Sequence, residues 1–169
     1  MRYTNYLNYG IIFIANKRSD PLSNAYPCKF TKGGETFYSA EQYYQYQKAL
    51  FFNDSHISCQ ILKNKYAYKC SLLGRRIRGF NKSQWRKCHA RRHMYDAEIA
   101  KYTSCDKMRI CLIATGKKYI CQPSDPFWGV GLWATHPHLL DIHKWCGQNV
   151  FGKILMRVRS KIIKNSPKI

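Results

Sequence analysis

The sequence predicts an α+β fold, predominantly helical, in one domain over residues 1–169 with a small N-terminal hairpin or sheet. Three observations carry that expectation. Short apolar and aromatic runs broken by glycine occupy the first 38 residues, and helical periodicity fills most of the remaining chain. No repeat, low-complexity tract or linker divides it. At 169 residues the chain buries roughly 70% of its unfolded surface, so it needs no disulfide or metal staple. The core is expected from about residue 10 to 162, with a basic tail at 163–169.

The elements come in this order. Gly10-Ile11-Ile12-Phe13-Ile14-Ala15 is a brief apolar run. Cys28-Lys29-Phe30 and Thr36-Phe37-Tyr38 flank Lys32-Gly33-Gly34-Glu35, which reads as a hairpin turn. Ser39, with Gln42 three positions on, is a capping-box start for a helix ending near Phe52. A second helix is expected over about Ile57 to Tyr66, and Leu72-Leu73-Gly74 reads as a break. Ser83 is expected to cap a long helix through Trp85, Cys88 and Met94 toward Tyr102. Thr103 or Ser104 would start the next, with Gly116 as its C-cap. Tyr119-Ile120-Cys121 looks like a strand leading into a loop made rigid by Pro123, Pro126, Gly129 and Gly131. A last helix opens at Asn149, with Val150, Ile154, Leu155, Val158 and Ile162 inward and Lys153, Arg157, Lys161 and Lys164 outward.

With 29 Lys+Arg against 9 Asp+Glu the formal net charge is +20, which favours polyanions. The excess is spread along the chain, with clusters at 75–78 and 86–92. Weak electrostatic association with nucleic acid is therefore expected, and sequence-specific readout is not. The eight cysteines are scattered with no C-x-x-C pair, and several, such as Cys111, read as small buried hydrophobes. No signal peptide is expected, and no apolar run nears the roughly 20 residues of a membrane span. An intracellular protein, cytoplasmic or nuclear, with no membrane partner is the expectation.

Few residue patterns point to chemistry. His89 and His93 stand at i, i+4, and His136, His138, His143 and Cys146 lie close in sequence. Neither group has zinc-site spacing, so no metal is expected. Cys88 and His89 are neighbours that point about 100° apart on a helix, a poor nucleophile–base pair. No P-loop, G-x-G-x-x-G or G-x-S-x-G is present. There remain Glu41, Gln45 and Lys48, spaced i, i+4, i+7 on one helix face opposite Tyr43, Tyr46 and Leu50. A carboxylate, an amide and an amine in one column suit a polar pocket; the plainer account is a solvated face. Asp125, three residues before Trp128-Gly129, is either an ordinary turn-forming Asp or part of a shaped loop.

Five pieces in order resemble one family. They are Leu22-Ser23-Asn24, then Ser39-Ala40-Glu41-Gln42-Tyr43-Tyr44-Gln45-Tyr46-Gln47-Lys48, then Trp85 before Arg91-Arg92. Asp125-Pro126-Phe127-Trp128-Gly129-Val130-Gly131 comes next, and Gln148-Asn149-Val150-Phe151-Gly152-Lys153-Ile154-Leu155-Met156-Arg157-Val158-Arg159 completes the set. Together they are similar to the NADAR, or YbiA-like, superfamily over about residues 20–160.

The resemblance implies a YbiA-like fold and an N-glycosidase acting on bonds to ribose, with an ADP-ribose-type nucleotide as substrate. Removal of ADP-ribose from a modified nucleobase is one implied reaction, and hydrolysis of ribosylamino-pyrimidine intermediates of riboflavin synthesis is another. No cofactor or metal is implied. Carried onto this sequence, the catalytic set is Lys48 as a Schiff-base nucleophile, Glu41 for proton transfer and Asp125 for ribose hydroxyls or water. The implied substrate-binding set is Asn24, Tyr44, Gln45, Trp85, Arg91, Trp128, Gly129 and Asn149. The chain departs from the family at Gln122, where a Glu is usual, at Tyr26 after Asn24-Ala25, and in a loop to Asp125 about two residues shorter. Loss of that carboxylate keeps open a module that binds ADP-ribose or NAD without turnover.

Overall fold

The structure is a computed structural model in which residues 10–15 and 18–165 are described. In chain order its elements are β1 (Ile11–Phe13), β2 (Phe30–Lys32), β3 (Glu35–Phe37), α1 (Ala40–Phe51), α2 (Ser55–Leu62) and α3 (Ala67–Gly74). Then come α4 (Lys82–Cys88), α5 (Ala90–Ser104), α6 (Asp106–Ile113), β4 (Tyr119–Cys121) and α7 (Val150–Asn165). This is the predominantly helical α+β fold that the sequence predicts. The described residues divide into two compact units: Asn24–Met108, and the residues up to Ser23 with those from Arg109 onward.

In the Asn24–Met108 unit, β2 and β3 form an antiparallel hairpin with Lys32 opposite Glu35. Both turn residues, Gly33 and Gly34, have positive φ (62° and 82°), which a two-residue hairpin of this hand requires. Phe30, Phe37, Ala40, Tyr43 and Ala97 form one core cluster, and Ala49, Ile57, Ile61, Cys70 and Ile77 form another, with Tyr46 packed against both. Asp54 caps α2 through Ile57 N–H (3.1 Å) and receives Arg78 N–H (2.9 Å). These two N–H groups, Arg78's first, hold its carboxyl below the ordinary range.

Several boundaries differ from expectation. The stretch expected as one helix from 57 ends at Leu62, and the expected break at 72–74 is the last turn of α3. Tertiary packing decides this: Cys70 and Gly74 are buried along α3, and Leu73 packs against the second cluster. The long helix expected from Ser83 is two helices, which meet at His89 (φ −116°, ψ −39°), the last cap of α4 and the first of α5. Its cap is Asn81, whose Oδ1 accepts Gln84 N–H at 2.9 Å. Neither Thr103 nor Ser104 starts α6: both lie in α5, where the Thr103 hydroxyl donates back to the carbonyls of Ile99 and Ala100. Cys111, expected to be buried, is only partly so; Cys28, Cys70 and Cys121 are the buried cysteines.

In the other unit β1 and β4 pair in parallel, Ile12 opposite Ile120. Ile11, Phe13, Cys121, Val130, Leu132 and Leu139 form its apolar cluster. α7 buries Val150, Ile154, Leu155, Val158 and Ile162, as its periodicity predicts. It also buries Arg159, whose Nη1 donates to Thr115 Oγ1 (2.6 Å) and the Lys118 carbonyl (3.0 Å). The helix runs on to Asn165, into the expected tail; residues 166–169 lie outside the described residues.

Candidate active site

The site is built on α1. Ser39 Oγ accepts Gln42 N–H at 3.1 Å, the predicted N-cap. The Gln42 side chain does not return to Ser39 as a capping box would. Its Oε1 accepts Tyr38 N–H (2.7 Å), and its Nε2 donates to the carbonyls of Ile61, Leu62 and Asn64. This buried amide pins α1 to the end of α2. Tyr43 and Tyr46 pack into the core behind, whereas Leu50, expected beside them, is 43% exposed.

Pinned this way, α1 turns its polar column inward as well. Gln45 and Lys48 are buried and Glu41 is partly buried. Glu41 Oε1 accepts Gln45 Nε2–H at 2.7 Å, and Oε2 accepts Asn24 Nδ2–H at 2.6 Å. Glu41 N–H also donates to the Asn24 carbonyl (2.9 Å), so Asn24 is tied twice to this residue. Desolvation pushes the Glu41 carboxyl above its usual range, against the pull of Gln45, the Lys48 charge, the Ser71 hydroxyl and Arg75. Burial brings the Lys48 amine down to about 8; Glu41 opposes that and Arg75 reinforces it. Its Nζ stands 4.7 Å from the centre of the Phe80 ring. The column is therefore a base-competent amine beside a hydrogen-bonded carboxylate, partly shut off from water.

Ser71, Gly74 and Phe80 complete this surrounding, and nothing in the linear pattern assigns them to a site. Arg75 stands out in the sequence as part of the basic cluster at 75–78, and the family resemblance offers Arg75-Arg76, or Arg91-Arg92, for phosphate contacts. The one available signal is Gly74 itself, a glycine amid apolar and basic residues, which reads as a break. A methyl carbon added there would lie 1.9 Å from Gln45 Oε1, so the glycine is what admits that amide. Glu98 and Lys101 also escape sequence reasoning: both are 0% exposed and paired at 3.2 Å on α5.

The remaining expected site residues fall in other surroundings. Trp85 is 2% exposed, its Nε1–H donates to Tyr44 Oη at 2.5 Å, and its ring stacks with His89 and His93. That places Trp85 and Tyr44 in an aromatic core, with no open face for a base. Arg91 is exposed on the first turn of α5.

Asp125, Trp128, Gly129 and Asn149 belong to the other unit. Asp125 Oδ1 accepts the N–H groups of Phe127 and Trp128, the turn-forming use of an Asp. Trp128 is partly exposed. Gly129 packs so closely that an added carbon would sit 2.3 Å from the Gln122 carbonyl and from Ser124 Oγ. Asn149 is buried at φ 49°, donating Nδ2–H to Ile120 O (2.9 Å) and accepting Gln122 N–H on Oδ1 (3.1 Å). It staples β4 to the start of α7. The carbonyls of Phe127, Trp128 and Gly129 take up the first N–H groups of that helix.

A family model described as the NADAR domain matches residues 12–163. The chain belongs to the NADAR domain family. This NADAR chain is 35% identical over 147 residues to an N-glycosidase of Acanthamoeba polyphaga mimivirus, covering 83% of this chain and 86% of the relative. It is 34% identical over 131 residues to the irg-1 protein of Caenorhabditis elegans, 75% of this chain and 61% of the relative. It is 29% identical over 156 residues to a riboflavin biosynthesis protein of Vibrio vulnificus (strain YJ016), 86% of this chain but 36% of that protein. The solved structure of the Escherichia coli protein YbiA shares the fold, with a TM-score of 0.72 at 24% identity over 96% of this chain and 90% of YbiA. No described helix of this NADAR domain is long and apolar enough to cross a membrane.

Proposed function

We propose that this NADAR domain is an N-glycosidase that hydrolyses the bond between ribose and a base nitrogen, removing ADP-ribose from a modified nucleobase such as guanine in nucleic acid. The observation that carries this reading is the buried Lys48 amine in one column with Glu41 and Gln45. The neutral amine attacks the anomeric carbon and the bond to the base nitrogen breaks, the base leaving with a proton. The ring oxygen then departs as a hydroxyl while Lys48 nitrogen forms a protonated Schiff base. Water adds to that carbon, and collapse returns the free sugar and the amine. A Glu41 carboxyl raised by burial suits proton delivery to the leaving base and proton removal from water. Asn24 and Gln45 hold both of its oxygens in place.

The test is release of ADP-ribose from an oligonucleotide bearing ADP-ribosylated guanosine, run beside a phosphorylated ribosylamino-pyrimidine. Borohydride added during turnover should leave a covalent adduct on wild type and none on Lys48→Ala. Equal adducts on both proteins would remove Lys48 from the role. Cleavage of the pyrimidine alone would move the substrate to riboflavin-type intermediates, consistent with the name of the Vibrio relative. Gln122, in place of the usual carboxylate, favours a second reading, a domain that binds ADP-ribose without turnover. Unchanged ADP-ribose binding with no release from either substrate is its signature.

A further inference from the structure

Between Asp54 and Asp96 the chain has no Asp or Glu, while Lys and Arg recur throughout. Within that stretch α3 buries one side, with Cys70 and Gly74 inward, and turns the other to solvent. The outward side carries the exposed Tyr68, Lys69 and Leu72, with exposed Lys65 and Tyr66 just before the helix and exposed Arg75 and Arg76 just after it. Tyr66 is 47% exposed and Tyr68 61% exposed, with ring centroids 6.1 Å apart. Lys69 Nζ lies 5.3 Å from the Tyr66 ring centre. Exposed rings interleaved with cations, and no carboxylate in the stretch, make a surface that binds a backbone of negative charge and stacks its bases.

We propose that this outward face of α3 is a docking surface for single-stranded nucleic acid. Phosphates would lie against Lys65, Lys69 and Arg76, and bases would stack on Tyr66 and Tyr68. A duplex keeps its base faces stacked inside, so the two rings would find no partner there. An anionic membrane calls for a broader apolar face than two rings and Leu72 supply. The C-terminal end of α3 carries Arg75, whose charge reaches both Glu41 and Lys48. A strand lying along the helix therefore leads to the polar column. The docking concerns an unmodified strand and stands whether or not the column turns over.

Fluorescence anisotropy with a labelled oligothymidylate of about 15 nucleotides, within the length such surfaces occupy, measures it. Tyr66→Ala/Tyr68→Ala should weaken binding about tenfold or more, from stacking losses of ~1–3 kcal/mol per base. Lys65→Ala/Lys69→Ala/Arg76→Ala should flatten the slope of log affinity against log salt by about 2. The charge-matched control is Lys153→Ala/Lys161→Ala/Lys164→Ala, all exposed on α7; it should retain the wild-type difference between oligothymidylate and an abasic strand. Lys48→Ala should bind the strand as wild type does, separating this surface from the glycosidase reading. Equal weakening by the control, or equal affinity of wild type for abasic and base-bearing strands, would overturn the proposal. So would tyrosine variants that lose phosphatidylserine vesicles yet keep the oligonucleotide.

Discussion

Gln45 lies with its amide nitrogen 2.7 Å from Glu41 Oε1 and its carbonyl oxygen against Gly74, where one added carbon would fall 1.9 Å away. The hydrogen bond that orients the carboxylate thus depends on the absence of a side chain on a different helix.

Gly74→Ala should therefore displace Gln45 and lose orientation of Glu41. A stability loss of about 1–3 kcal/mol is expected from overpacking, together with lower kcat on any substrate that is turned over. In a Gln45→Ala background the same change should cost much less, since the clash is gone. A double-mutant cycle by denaturant titration reads the coupling, and additive effects would contradict it.

The Lys48 amine, lowered to about 8 from an ordinary 10.5, sets a pH dependence. Roughly a tenth of it is neutral near pH 7, against well under one in a thousand for an ordinary lysine. If it attacks as the free base, log kcat/KM should rise with unit slope below about 8 and flatten above. Glu41→Gln removes the charge that holds the value up, so the inflection should move to lower pH; Arg75→Ala should move it higher. The folded state holds this proton more weakly than the unfolded chain. This group's contribution to stability therefore rises with pH from about 8 to 10.5.

Asn149 separates structural from substrate roles. Both ends of its amide are engaged with β4 and the loop, and its backbone is left-handed at φ 49°. Asn149→Ala loses both bonds and keeps the strain, whereas Asn149→Gly loses the bonds and relieves it. The glycine variant should be the more stable by about 1 kcal/mol in thermal melts. A substrate-only role predicts that Asn149→Gly melts no lower than wild type and alters only KM, whereas loss of the staple lowers its melt.

The Glu98–Lys101 pair, fully buried at 3.2 Å, should behave as a linked unit. Glu98→Ala takes the carboxylate away from a buried amine, at a cost of about 3–5 kcal/mol. That corresponds to a fall in Tm on the order of 10 °C. Replacing both, as Glu98→Leu/Lys101→Met, should restore most of the loss. Calorimetry of the two variants decides it.

Local patterns determine much of this protein by themselves. Gly33-Gly34 demands the hairpin, Ser39 sets the start of α1, and the spacing of Val150 to Ile162 marks the inward face of α7. The ordered motifs from Asn24 to Arg159 point to the NADAR family. For the hairpin and the two helices, neighbours along the chain supply the physics: turn dihedrals, an N-cap and one-sided burial. Tertiary structure alone decides the rest. It makes Gln42 a pin between helices, Trp85 a core ring, Asn149 a staple and Arg159 a buried tie, and it requires Gly74 for Gln45 to fit. Along α7 periodicity states which side is covered, as it does not for α1, whose polar column is covered too. It does not state which donor or acceptor a covered polar group will meet, because that partner lies tens of residues away.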